Sequence, residues 1–147
     1  MKLSTKARYA VRAMIELSRE YGKGPLQLKM IAKRQDISDK YLEQVLSPLR
    51  VNGLIFTLKG SRGGYVLSRA PEEITLYDVV HIVEGSLAPV DCVDNNEICS
   101  RRELCVTRDV WSKLKEVIIR ELKSVNLAEL AAKQSERYSE VPFLEED

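Results

Sequence analysis

Little in this chain invites catalysis. Histidine occurs once, at His81, and aromatic residues are sparse, with one Trp, two Phe and six Tyr among 147 residues. No Ser/His/Asp set and no carboxylate pair with a nearby base stands out, so an enzyme is not expected. No run approaches the ~18 consecutive apolar residues of a membrane span. The opening MKLSTKARYAVRAMIELSREYG is broken by charges every few positions and lacks the small-residue cleavage site of a signal peptide. A cytoplasmic protein with no membrane partner is therefore expected. Cysteine is scarce too: there are three, an odd number, without a Cys-x2-Cys pair. Disulfides are rare in the cytosol, and zinc knuckles use such pairs, so neither fits these thiols. There are no internal repeats.

What is present is an uneven division of charge. Residues 1–70 carry fourteen Lys and Arg against five Asp and Glu, a net +9; residues 71–147 carry nine against seventeen, a net −8, which leaves +1 for the whole. A basic half suits a polyanionic partner, and an acidic half kept apart from it suits assembly or regulation.

The basic half has the pattern of a helix-turn-helix followed by a hairpin. Ser4 can cap a helix to about Tyr21, with Ala10, Met14, Leu17 and Tyr21 on one face, before Gly22 and Gly24-Pro25 end it. A second helix is predicted over Leu26 to Gln35. Ser38 then caps a third, SDKYLEQVLSPLRVNG, that buries Leu42, Val45, Leu46 and Leu49. Pro48 removes a hydrogen bond inside this helix, so a kink is expected near Ser47. Two β-prone runs, Leu54 to Leu58 and Tyr65 to Leu67, flank a loop with three glycines, as in a winged helix. In such a fold the exposed side of the third helix, with Ser38, Lys40, Tyr41 and Gln44, reaches the major groove of double-stranded DNA. Lys59, Ser61, Arg62 and Gly63 at the wing are the second set of expected contacts.

After Ala70-Pro71, Thr75 and Asp78 form a capping-box pattern at the start of a helix that Gly85 ends. His81, between Val80 and Ile82, is expected to be packed within the fold. Periodicity is then lost from Ser86 to Glu103, a long stretch without regular structure. It returns from Leu104 to about Val125, where Trp111, Leu114, Ile118, Leu122 and Val125 recur near the 3.5-residue period of a homodimer seam. A short helix over Asn126 to Lys133 and a disordered acidic tail over residues 135–147 complete the expected layout.

The thiols lie at Cys92, Cys99 and Cys105, all in or beside the unpatterned stretch, with Arg101, Arg102 and Arg108 close by. Six and five intervening residues suit a loop wrapped around something larger than one metal ion, and an iron-sulfur cluster fits. Neighbouring arginines would offset the negative charge of thiolates. The one histidine is expected to be packed away and no fourth cysteine exists, so an oxygen donor is expected as the fourth ligand: Asp91, Asp94, Glu97 or Glu103 from the loop, or Glu43 from the third helix, with water or a small thiol as the remaining alternatives. A cluster-free reading, with thiols or a protein partner as the switch, stays open beside it.

These residues together resemble the Rrf-type winged-helix transcriptional regulators, most nearly their iron-sulfur cluster branch, the IscR regulators. KARYAVRAM, KYLEQVLSPLR, GLIFTLKGSRGGYVL and the cysteine triad carry the likeness, from Met1 to about Gln134. The resemblance implies a homodimeric repressor or activator, a near-palindromic operator, and a cluster, 2Fe-2S in preference to 4Fe-4S. Two positions depart from it. IscR proteins space their first two cysteines more closely and carry a histidine ligand where this chain has Arg108. The nitric oxide sensors of the family can use an acidic residue in the first helix, where this chain has Arg8. The cysteine-metabolism regulators of the family lack the triad altogether. The expected fold is mainly α with a small β-hairpin wing: a winged helix-turn-helix domain over 1–70, a connecting helix and sensor loop over 71–103, a dimerisation helix and short C-terminal helix over 104–134, and the tail.

Overall fold

Ser4 accepts a hydrogen bond from the Ala7 backbone N–H at 3.0 Å and so starts the helix around which the rest is built, α1 at Thr5–Arg19. The structure is a computed structural model that describes residues 2–141. α2 (Leu28–Gln35) ends at Asp36, which takes a left-handed conformation (φ 52°) that short polar side chains tolerate. Ser38 then caps α3 (Asp39–Val51) through the Tyr41 N–H at 3.1 Å. α3 runs unbroken through Pro48, and Asn52 Nδ2 donates to the Pro48 carbonyl at 2.7 Å where the helix ends.

The wing pairs β1 (Ile55–Leu58) with β2 (Gly64–Leu67), Ile55 opposite Leu67 and Leu58 opposite Gly64. β2 also pairs on its other side, where Leu26 and Tyr65 exchange backbone hydrogen bonds at 3.0 and 2.8 Å. Gly64 is required by that approach, because a Cβ there would stand 2.5 Å from the Leu26 carbonyl oxygen.

α4 (Leu76–Glu84) carries the full capping box, with Thr75 N–H donating to Asp78 Oδ2 at 2.9 Å and Asp78 N–H to Thr75 Oγ1 at 3.1 Å. α5 spans Val106–Lys123 and α6 spans Leu127–Glu140. α6 is thus longer than the short helix expected to end near Lys133, and residues 135–140 belong to it. Its last turns are held by side-chain bonds to α1, which periodicity along α6 does not reveal. The expected disorder of residues 142–147 lies outside the described residues.

One apolar core includes Met14, Ile31, Leu42, Leu46, Ile55, Ile74, Val79 and Leu127. It runs across the boundary expected at Ala70-Pro71, where the chain makes only a short 3-10 turn, Pro71–Glu73. α1 touches α2, α3, α4, α6 and β2. α5 is the exception: none of its residues is buried, and its principal neighbours are α4 and the 3-10 turn Asp91–Val93.

Candidate nucleic-acid interface and cysteine loop

Burial of Leu42, Val45, Leu46 and Leu49 turns the opposite side of α3 outward, so Lys40, Glu43, Gln44 and Arg50 are exposed, with Ser38 at its cap. Tyr41 is half-buried, its ring edge-on to Tyr9 at 5.8 Å, and Tyr9 in turn lies under the Arg12 guanidinium at 4.9 Å. Lys40, Glu43, Gln44, Ser47, Arg50 and Asn52 line an open groove of about 940 Å³ that Lys6 of α1 and Tyr65 of β2 complete. The side chains of Lys6, Lys40 and Arg50 enter no ion pair among the described residues, which leaves three cations facing one acid, Glu43. Sequence reasoning missed Lys6 and Arg50. Their signal was present as unmatched basic residues in the +9 half, but only folding brings α1 beside the end of α3.

At the wing, Lys59, Ser61 and Arg62 are exposed. Gly63 is buried beneath them: its N–H donates to the Gly60 carbonyl at 3.0 Å, and a Cβ would meet the Leu58 carbonyl oxygen at 2.1 Å. Its part is to shape the tip that presents its neighbours.

The cysteines occupy three turns of one segment. Cys92 lies in the 3-10 turn Asp91–Val93, Cys99 precedes the turn Arg102–Leu104, and Cys105 is the N-cap residue of α5. All three are free thiols and half-buried. Arg108 ties the segment together, donating Nε to the Cys92 carbonyl at 3.1 Å and Nη2 to Asn96 Oδ1 at 2.6 Å, while Arg102 Nη1 donates to the Asn96 carbonyl at 2.9 Å. The Arg108 position therefore holds the loop's backbone. The Cys105 thiol lies 3.2 Å from Thr107 Oγ1, and that hydrogen bond, the backbone N–H groups of Arg108 and Thr107 and the charge of Arg101 hold it below the ordinary thiol range.

The acids of this loop differ in their engagements. Asp94 accepts from Lys115 Nζ at 2.6 Å and from the Ser86 hydroxyl, which together hold its carboxyl below the usual carboxylate range. Glu103 pairs with Arg102 at 3.0 Å. Asp91 and Glu97 enter no ion pair among the described residues, and Glu43 lies in the α3 groove. Among the described residues no three His, Cys, Asp or Glu side chains converge as a metal-binding group.

His81 is exposed, contrary to the expectation that it is packed within the fold. Successive residues of a helix point about 100° apart, so Val80 can be buried while His81 is not. Its ring stacks on Tyr77 at 5.1 Å and its Nδ1 lies 2.9 Å from the Gly85 carbonyl oxygen.

On α5, Trp111, Leu114, Ile118 and Leu122 are half-buried, as is Val125 in the turn beyond its end. Ile118 and Leu122 line a cleft with Leu3, Leu87 and Ala88 of the same chain. Val106, Val110 and Val117 are 77%, 52% and 47% exposed. With Leu114 they fall within a sector of about 80° on the helix, so the open part of the stripe is displaced from Ile118 toward these valines.

No helix among the described residues is long and apolar enough to cross a membrane. The model of the Rrf2 family, described as an iron-dependent transcriptional regulator, matches residues 3–133. The transcriptional regulator CymR of Bacillus subtilis is 39% identical over 132 residues, covering 90% of this chain and 91% of that protein. A solved structure of CymR, the global cysteine regulator of that organism, superposes with a TM-score of 0.76 over 90% of this chain and 98% of its own. IscR of Erwinia tasmaniensis is 40% identical over 134 residues, covering 91% of this chain and 81% of that protein. A structure of T. potens IscR gives a TM-score of 0.75 at 38% identity, over 93% of this chain and 90% of its own. With its helix-turn-helix, its hairpin wing and this match over nearly its whole length, the chain belongs to the Rrf2 family of DNA-binding transcriptional regulators.

Proposed function

We propose that this regulator is a homodimer whose DNA recognition is governed by the state of the three thiols, with Cys92, Cys99 and Cys105 holding an iron-sulfur cluster. The observation that carries this reading is their placement. All three are free and half-buried in one arginine-braced loop that leads into the N-terminus of α5, none of whose residues is buried. Three thiols with cationic and amide neighbours are a donor set suited to such a cluster. A bound cluster would supply a redox- and nitric-oxide-sensitive group at the base of α5. Oxygen is the proposed fourth donor: Asp91 and Glu97 are the loop acids without an ion pair among the described residues, and Glu43 would tie the loop to α3. A 2Fe-2S cluster is preferred to a 4Fe-4S one on resemblance to the IscR proteins.

Dimerisation is proposed through α5, where Val106, Val110, Leu114 and Val117 are left for a second copy, with Trp111, Ile118, Leu122 and Val125 toward the edge. Two copies related by a two-fold axis would present two α3 helices to a near-palindromic site with half-sites about 34 to 36 Å apart. Ser38, Lys40, Tyr41 and Gln44 would read it, Lys59, Ser61 and Arg62 would hold the flank, and Lys6 and Arg50 would add phosphate contacts.

A cluster-free thiol switch is the second reading, favoured by the lowered Cys105 thiol. Analysis of iron and acid-labile sulfide after anaerobic purification separates the two. The cluster reading expects both elements and visible absorbance, each lost in a Cys92→Ala variant; colourless, iron-free protein that still binds DNA would favour the thiol switch.

A further inference from the structure

Among the described residues the one buried charged group is Glu16. The Glu16 side chain on α1 is 1% exposed. Burying a carboxylate is costly unless its lone pairs are filled, and here four donors from three helices fill them. Oε1 accepts from Gln35 Nε2 of α2 and from the Tyr138 hydroxyl of α6, each at 3.0 Å. Oε2 accepts from Arg34 Nη1 of α2 at 3.1 Å and from Arg19 Nη1 at 3.2 Å. Gln35 is held from its other side by Arg12, whose Nε donates to Gln35 Oε1 at 2.6 Å and whose Nη2 donates to the Gln35 carbonyl at 3.2 Å.

Both ends of this node have a place in the fold that gives it consequence. Gln35 is the last residue of α2, followed by the left-handed Asp36 and then the Ser38 cap of α3, so the node fixes the turn from which the reading helix leaves. Tyr138 lies near the end of α6, and its ring lies under the Arg19 guanidinium at 4.5 Å. α6 continues directly from α5 through a turn clamped to the start of α4, with Leu76 N–H donating to the Val125 carbonyl at 2.8 Å and Leu127 N–H to the Ile74 carbonyl at 2.9 Å. Burial, and then the charge of Glu16, push the Tyr138 phenol above its ordinary range.

We propose that Glu16 is a positioning residue for DNA reading, and that Tyr138 makes the position of α3 depend on the seat of the C-terminal helix. When α6 shifts against α1, the Tyr138 hydroxyl leaves and a buried lone pair is exposed to nothing. The carboxylate then relaxes by moving its remaining donors, Arg34 and Gln35 of α2 among them, and with them the turn into α3. The route runs from α5 and α6 to the reading helix without passing through the cysteine loop. It rests on α3 being the reading helix and is independent of whether the thiols hold a cluster.

The test compares the affinity of full-length dimer for a duplex selected by the wild type from a random-sequence pool with its affinity for a scrambled duplex of the same composition. Tyr138→Phe deletes one hydroxyl and keeps the ring on Arg19. Affinity for the selected duplex should fall about two- to tenfold, the worth of one hydrogen bond, while affinity for the scrambled duplex and the sedimentation of the dimer stay as in wild type. Glu16→Gln, similar in shape but uncharged, should lower discrimination at least as far. Equal weakening on both duplexes, or a drop in thermal midpoint with discrimination intact, would show Glu16 to be structural only and overturn the proposal. A wild type that enriches no sequence from the pool would instead overturn the assignment of α3 as reader.

Discussion

Replacing Val117 by Glu should separate the dimer while leaving each subunit folded. Val117 is 47% exposed within one chain, so about half of the ~2 kcal/mol available from burying a valine, or about 1 kcal/mol, remains for a partner. A two-fold interface uses the same residue on both sides, which doubles the loss to about 2 kcal/mol. Desolvating a carboxylate in its place costs at least about 1 kcal/mol more per copy. The total, about 4 kcal/mol, raises the dimer dissociation constant about a thousandfold. No residue of α5 is buried in the single chain, so the thermal transition of the core should persist. Sedimentation equilibrium across the micromolar range reads the outcome. Ile118→Glu, placed in the cleft with Leu3 and Leu87, should disturb the chain's own packing as well as the dimer. A Val117→Glu protein that remains dimeric at low micromolar concentration would remove the valine sector from the seam.

Three further outcomes follow from named contacts. Lys59→Ala with Arg62→Ala, and separately Lys6→Ala with Arg50→Ala, should each reduce the slope of log affinity against log salt by about 1.8 per subunit, measured by fluorescence anisotropy; an unchanged slope takes that pair off the phosphate backbone. Gln44→Ala should erode discrimination at one base pair by about 1 to 3 kcal/mol with little change in nonspecific binding, whereas uniform weakening would reassign Gln44 to the backbone. The Cys105 thiol lies below its ordinary range chiefly through Thr107, so its thiolate is present at lower pH than in a free thiol. In cluster-free protein its alkylation by iodoacetamide should begin at correspondingly low pH, and Thr107→Val should move that profile upward; an unmoved profile would deny Thr107 the effect.

How much of this was legible in the sequence follows from the range of each interaction. Ser4, Ser38 and the Thr75/Asp78 box announce helix starts because a cap is a contact across three residues, and all three are found. The wing was visible because alternating β-prone residues and a glycine loop are local. Pairing of Leu26 with Tyr65 was not visible, since it joins positions with no pattern in common. Glu16 reads as an ordinary charged residue among apolar ones until α2 and α6 bring it Arg34, Gln35 and Tyr138. The outward turn of His81 has no mark in the sequence, where its neighbours Val80 and Ile82 are both apolar. The groove has no mark there either, as Lys6 and Arg50 are far apart in the chain. The cysteine spacing suggests a shared ligand, but convergence of three thiols is a property of the folded loop that spacing does not determine, and among the described residues no such group converges.

The proposed control of DNA recognition by the three thiols is open to measurement. The most direct measurement takes one anaerobic preparation, verifies its iron and sulfide, and compares its affinity for the wild-type-selected duplex before and after the cluster is removed by chelation under reducing conditions. Control by the cluster predicts that this affinity changes at least about tenfold, and that Cys92→Ala protein shows one affinity throughout, equal to that of the cluster-free wild type. Identical affinities for loaded and stripped wild-type protein would contradict it.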